Sequence, residues 1–382
     1  FSDIDFERIK EIEAVTQHDV KAIELFIAEK LDTIGLGQNK QWVHFGLTSE
    51  DTNNLAISRQ LQQGTDVLLE ALQQMEEVVK RHSNQLRNAV MLARTHGQPA
   101  VPTTMGKELE VHLFQIKKIK SELSQFVYSG KLNGAVGTMA AHQIAFPKKN
   151  WLKFSDTYIS SLGFEPIHLT TQILPGSYWT DLFSKLQRIS LSLVSLSQDI
   201  WWYIALGYFK QHAIKSEVGS STMPQKVNPI NFENAEGNAQ MAANLFAFFI
   251  QKFSATRLQR DLSDSTVRRN FGVAYGHLLL AIKSLQLGME KISADRQHML
   301  AEVLNHPEVL AEAIQTILRK HGEVEAYEII KKITRNQEFS LKKICRKLEE
   351  QSISPEAVQE IAQLKPEKYV GLVEKIMQMD PN

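Results

Sequence analysis

The segment richest in reactive and backbone-constraining side chains is Gly219-Ser220-Ser221-Thr222-Met223-Pro224-Gln225-Lys226-Val227-Asn228-Pro229. Its serines supply hydroxyls, Lys226 a cation and Asn228 an amide, and Pro229 suits the start of a helix whose N-terminus carries partial positive charge. Together these groups can cradle an anion; the alternative is a surface connection made of ordinary turn residues. Three further segments set a histidine beside hydroxyl, amide or carboxylate groups: Arg94-Thr95-His96-Gly97-Gln98-Pro99-Ala100, His44-Phe45-Gly46-Leu47-Thr48-Ser49-Glu50-Asp51 and Thr16-Gln17-His18-Asp19-Val20-Lys21-Ala22. Imidazole titrates near neutrality, so such a histidine can hand a proton to a departing group. Later come Thr170-Thr171-Gln172-Ile173, Asn231-Phe232-Glu233-Asn234 and a stretch carrying Arg257, Arg260, Arg268 and Arg269. Taken alone, those arginines read as a solvated charged face.

Other chemistries lack their residues. There is no His-Glu-x-x-His element and no paired cysteine motif, so no zinc site is expected, and neither phosphate-loop nor dinucleotide glycine pattern occurs. No metal and no cofactor is expected. With 12 histidines in the chain, mere presence selects none, and His82, His112, His168, His277, His298, His306 and His321 are read as surface or satisfied core residues. His142 and His212, near interesting loops, receive a structural reading as well. Lys plus Arg and Asp plus Glu each total 43, so net charge favours neither nucleic acid nor an anionic membrane, and any anion must be held by a local cluster. No uncharged apolar run reaches membrane-spanning length, and the first residues do not resemble a signal peptide. The single cysteine, Cys345, can form no internal disulfide, which points to a reducing, cytoplasmic setting. The chain starts at Phe1 and enters a helical pattern within a few residues, so part of an N-terminal region is expected to be missing.

The elements that position these segments are helices. Leu182, Leu186, Ile189, Leu193, Leu196, Ile200 and Tyr203 alternate at intervals of four and three. So do Met105, Leu109, Leu113, Ile116, Ile119, Leu123 and Phe126, and again Leu278, Ile282, Leu285, Met289 and Ile292. Long proline-free stretches without alternating polarity exclude a β-rich chain, and the fold class is all-α. Seams of this length imply a bundle and homo-oligomerisation. Trp201 and Trp202, within one seam, are expected in the core. Turn clusters separate the helices at Gly35 to Gly37, His96 to Thr104, Ser129 to Gly137, Pro175-Gly176, Gly219 to Pro229 and Ser352 to Pro355. The expected domains are 1–37, the remainder of an N-terminal helical domain; 38–292, a central long-helix bundle; and 293–382, a C-terminal helical domain.

The Gly219–Pro229 segment resembles the signature of the fumarase and aspartase superfamily, Ser-Ser-x-Met-Pro-x-Lys-x-Asn-Pro, at every fixed position. The segments around His96, Thr48 and His18, and those around Gln172 and Arg260, resemble the adenylosuccinate lyase versions and occur in the same order. The resemblance covers nearly the whole chain and implies a long-helix bundle of that superfamily with three helical domains, the N-terminal one incomplete here. It also implies release of fumarate from succinylated purine nucleotides by acid and base catalysis. On the same basis Ser221 is the base, His96 the general acid, His18 an assisting residue, and Glu233 the partner of the catalytic histidine. Lys226 and Asn228 then bind the carboxylate beside the reacting carbon. Thr48, Ser49, Thr95, Gln172 and Ser220 contact substrate, and Arg260, Ser265 and Arg269 lie on the nucleotide side. A homotetramer whose active sites are shared between subunits is implied as well.

Two positions depart from the pattern. Adenylosuccinate lyases commonly carry histidine where this chain has Gln225, whereas argininosuccinate lyases often carry glutamine, leaving the role of Gln225 open. The family's initial segment with an arginine-tyrosine pair near the substrate phosphate is absent here, so those contacts have no residues to assign. The competing readings are another fumarate-releasing lyase such as argininosuccinate lyase, and a non-catalytic helical scaffold.

Overall fold

In the computed structural model, which describes residues 1–212, 223, 226–334 and 339–379, apolar residues spaced by three and four become buried helix stripes. The helices run α1 (Asp3–Thr16), α2 (Asp19–Thr33), α3 (Ser49–Gln85), α4 (Met105–Ser124), the short α5 (Ala140–Ala145) and α6 (Trp151–Ser161), then α7 (Ser177–Ala205) and α8 (Ile230–Phe253). The short α9 (Ser263–Arg268), α10 (Phe271–Glu290), α11 (Arg296–Asn305) and further short helices complete the order. On α7 the seam from Leu182 to Ile200 is fully enclosed, as is that of α4 from Met105 to Ile116 and that of α10 from Leu278 to Met289. Among the described residues no helix is long and apolar enough to cross a membrane.

Three expectations need correction at the seam ends. Phe126 lies beyond α4, and Ile292 lies in a strand rather than on α10; helical spacing continues in the sequence past the point where the backbone leaves the helix. Trp202 is 57% exposed on α7, edge-on to the half-buried Trp201 at 5.2 Å, because successive helix positions cannot both face inward.

Among the described residues three two-stranded sheets accompany the helices. Strands β1 (Val90–Thr95) and β2 (Gln98–Thr104) pair antiparallel, β3 (Ser129–Gly130) and β4 (Glu165–Pro166) pair parallel, and β5 (Phe209–Gln211) pairs antiparallel with β6 (Ile292–Ala294). Pro99 and Pro102 bar a helix over β2 but suit a narrow ribbon, so the expected turn cluster from His96 to Thr104 is a turn only at its start.

The chain divides into two compact units. The first comprises Phe1–Glu70, Ser121–Arg188 and Met241–His277, and its core gathers aromatic rings, with Phe183 4.8 Å from Phe271 and 5.3 Å from Phe249. The second comprises Ala71–Lys120, Ile189–Gln240 and Leu278–Asn382. Within it Leu310, Ile314, Leu318, Ile330, Ile344, Leu348 and Ile361 belong to a cluster of their own. There the turn cluster at Ser352–Pro355 starts a helix: Ser354 Oγ accepts the Ala357 N–H at 3.2 Å, and Pro355 occupies the first turn.

Truncating a seam residue tests the buried stripe. Leu193→Ala, at a position with no exposure, is expected to destabilise the protein by about 2–5 kcal/mol, read as a lowered melting temperature.

Candidate functional site

Thr48 and Ser49 stand at the head of α3, and the head is tied down by charge. Thr48 donates its backbone N–H to Asp51 Oδ2 at 2.9 Å, and its backbone carbonyl accepts the Asp51 N–H at 2.9 Å, closing the first turn of the helix. The same Asp51 carboxylate accepts the backbone N–H groups of Asn133 and Gly134, each at 3.0 Å, and lies 2.9 Å from Lys131 Nζ. Both members of that ion pair have wholly enclosed side chains. Burial pushes the Lys131 ammonium down from its ordinary pKa, while Asp51 and then Glu50 oppose that shift. One helical turn on, Asn54 clasps the Lys131 backbone, accepting its N–H at 2.8 Å and donating to its carbonyl at 3.0 Å; Ser58 donates to the Ser129 carbonyl at 2.9 Å. Asp51, Asn54 and Ser58 share a helix face, so the first turns of α3 are zipped along the strand-like segment 129–134.

The arginine segment docks beside this. Glu50, with no exposed side chain, takes Arg268 at 2.8 Å and Arg260 at 3.2 Å, and Arg268 also reaches Asp264 at 2.5 Å across a turn of α9. The Arg268 guanidinium lies 4.9 Å from the Trp179 ring centroid. Ser265 is partly buried on α9, whereas Arg269, which ends that helix, is exposed. The structure therefore brings Thr48, Ser49, Arg260 and the Ser265–Arg269 segment into one arrangement through residues that sequence reading did not select: Glu50, Asp51, Lys131 and Arg268. A detectable signal did exist in the Thr48-x-x-Asp51 spacing of a helix cap.

Two other expected site residues lie in this unit. His18 caps α2, its Nδ1 accepting the Lys21 N–H at 3.2 Å, which places the proton of the neutral ring on Nε2. Gln172 donates to the Ala135 carbonyl at 3.0 Å. The nearby Gly137 has φ +75°, and a Cβ there would meet the Thr170 carbonyl oxygen at 2.3 Å, so the chain approaches itself too closely for any other residue.

In the second unit Thr95 and His96 sit at the tip of the β1–β2 hairpin, both exposed. His96 at φ 55° and Gly97 at φ 74° are the two central residues between the paired Thr95 and Gln98. Consecutive left-handed residues make the tight turn that matches strand twist, glycine without strain and His96 at a cost of order 1 kcal/mol. Behind the tip, Glu302 of α11 bonds both Arg94 and the Tyr208 hydroxyl, fixing the hairpin from below. Glu233, in the first turn of α8, accepts the Trp201 indole N–H at 3.2 Å. No hydrogen bond or ion pair joins it to His96 among the described residues of this chain. The Pro229 carbonyl accepts the N–H groups of Phe232 and Glu233, so Pro229 caps α8 directly before its first residue. Lys226 is exposed and Asn228 partly buried. Ser220, Ser221 and Gln225 lie outside the described residues.

Comparison with known proteins identifies the chain in two steps. Its fold matches the fumarate lyase of Mesorhizobium sp. BNC1, with a TM-score of 0.76 at 16% identity over 98% of this chain and 84% of that one. It also matches the β-carboxy-cis,cis-muconate cycloisomerase of Acinetobacter calcoaceticus sp. ADP1, with a TM-score of 0.73 at 18% identity and the same coverage. Residues 1–244 match the family described as Lyase, so the protein is an enzyme of the helical lyase class. Residues 256–370 match the family described as Adenylosuccinate lyase C-terminal. The chain is 40% identical to the adenylosuccinate lyase of Haemophilus influenzae over 98% of this chain and 84% of the relative. It is also 40% identical to that of Escherichia coli K12 over 97% and 82%, and 39% identical to that of Dictyostelium discoideum over 98% and 82%. The chain belongs to the adenylosuccinate lyase family.

Removing one partner of the buried pair leaves the other as an uncompensated charge. Asp51→Ala is expected to cost about 3–5 kcal/mol at neutral pH. In that variant Lys131 has a folded-state pKa further below its unfolded value, so the unfolded chain binds the extra proton and stability rises with pH. Thermal melts are expected to show a larger deficit near pH 6.5 than near pH 9.

Proposed function

We propose that this protein cleaves fumarate from succinylated purine nucleotides, converting adenylosuccinate to AMP and the succinylated aminoimidazole carboxamide ribotide to its free amide. The observation that carries this reading is identity near 40% with adenylosuccinate lyases across almost the whole chain. The reaction takes a proton from the succinyl carbon beside one carboxylate and forms a carbon–carbon double bond. It breaks the carbon–nitrogen bond on the neighbouring carbon and returns a proton to the departing nitrogen. In this reading Ser221 removes the first proton and His96 supplies the second, assisted by His18 and oriented by Glu233. Lys226, Asn228 and Ser220 stabilise the carboxylate charge that builds up on proton removal. The Lys226 cation also favours ionisation of Ser221, which as a free alcohol is too weak a base.

Thr48, Ser49, Thr95 and Gln172 hold the substrate, and Arg260, Ser265 and Arg269 take the nucleotide side. The exposed hairpin tip suits a proton donor that must reach a ligand, and the fixed head of α3 suits donors that must not move. The working form is a homotetramer with sites shared between subunits, residing in the cytoplasm. Supporting the oligomer, long-helix faces expose Phe114, Leu191, Trp202, Phe248, Leu280 and Leu287. Supporting the compartment, Cys345 is the chain's single cysteine.

The test follows fumarate release from adenylosuccinate, with argininosuccinate as a competing substrate. Release from adenylosuccinate alone is expected, falling about 10²–10⁴-fold in Ser221→Ala and in His96→Ala. Release from argininosuccinate instead, or equal rates in the variants, would contradict the reading.

A further inference from the structure

Glu50 has no role in the chemistry set out above, yet its surroundings are unusual. Its carboxylate is wholly enclosed and one oxygen, Oε1, faces two guanidinium groups, Arg268 Nη1 at 2.8 Å and Arg260 Nη2 at 3.2 Å. The other oxygen, Oε2, is buried with no hydrogen-bond partner among the described residues. Two arginines meet at that one oxygen; Arg268 is also met by Asp264, which lies farther from Arg260 at 3.8 Å, so Arg260 depends most on Glu50 for its opposite charge. Arg260 lies just before α9 and Arg268 is its last residue, with Ser265 between them and Arg269 directly after; Glu50 directly follows Thr48 and Ser49 at the head of α3. Arg268 also pairs with Asp264 at 2.5 Å within α9 and lies over the Trp179 ring of α7, so a turn of α9 would break its contacts with Glu50 and Trp179.

We propose that Glu50 is a positioning residue for the lyase reaction. Its buried charge holds Arg260 and α9 at a set distance from Thr48 and Ser49, and thereby sets the nucleotide end of the substrate relative to the succinyl end. The inference rests on the substrate contacts assigned under Proposed function. With its charge already met by Glu50, Arg260 acts as a preset hydrogen-bond donor rather than a free cation. Glu50→Gln keeps the shape but leaves two cations facing a neutral amide, freeing Arg260 to shift. The nucleotide end is remote from the bond that breaks, so the loss falls on binding common to ground state and transition state.

The experiment is steady-state kinetics of the full chain with adenylosuccinate, using AMP as product inhibitor, for the unsubstituted protein, Glu50→Gln and Glu76→Gln. Glu76 is a buried carboxylate 2.5 Å from Lys120 in the second unit, so its variant reports what breaking a buried pair does by itself. In Glu50→Gln, KM and the AMP inhibition constant are expected to rise together by about tenfold, with kcat held within about threefold. Glu76→Gln is expected to move none of the three. Unchanged KM and AMP inhibition in a folded Glu50→Gln, or an equal rise in Glu76→Gln, overturns the proposal. Should Glu50→Gln be recovered only as aggregate, Arg268→Lys replaces it, losing the fork between Glu50 and Asp264. A KM rise of at least about threefold is then expected, and an unchanged KM overturns the proposal. An unsubstituted chain that releases no fumarate from adenylosuccinate overturns the underlying function itself, a result visible before any variant is made.

Discussion

The ion pair between Asp51 and Lys131 is the constraint on which the arrangement at the head of α3 depends. Taking an ammonium and a carboxylate fully out of water costs several kcal/mol per ion, and their attraction offsets this only when every remaining donor and acceptor is met. Here the offset comes from the backbone: Asp51 also accepts three N–H groups, and Asn54 holds the lysine's own peptide on both sides. A pair of this kind is a poor source of stability compared with a hydrophobic replacement, but it tolerates little displacement. Thr48 and Ser49 inherit that rigidity because the residue capping α3 is the same one that binds Lys131.

The second unit achieves position differently. His96 is presented on a two-residue hairpin turn, where the backbone rather than a buried charge dictates direction. The strain of a left-handed histidine is modest and local, offset by strand pairing and by Glu302 gripping the base of the ribbon. The exposed tip gives His96 access, and the cap tied to a buried ion pair gives Thr48 and Ser49 fixity.

The three apolar seams were plain in the sequence because helical periodicity over many turns has few competing explanations, and they are enclosed almost as spaced. The strands were not legible: β3 to β6 are two or three residues long and leave no period to detect, and β1 is as apolar as a helix turn. Lys131 reads in sequence as a surface lysine, since what buries it is a carboxylate far away in the chain. Trp202 shows the converse failure, an apolar residue beside a seam that the helix turns outward. The signature serines were singled out through resemblance and lie outside the described residues, whereas Asp51 was visible through its spacing from Thr48 and Glu50 only as a neighbour of Thr48 and Ser49.

Hydrogen exchange of Asp51→Asn, read peptide by peptide against the unsubstituted chain, tests most directly whether one buried pair orders the head of α3 and the segments docked on it. Neutralising Asp51 is expected to lower protection together in residues 44–58, 129–135 and 260–269, leaving the α4 and α7 seams as protected as before. Loss confined to the few residues around position 51 would contradict it, and would mean that packing, not the ion pair, holds the head of α3 in place.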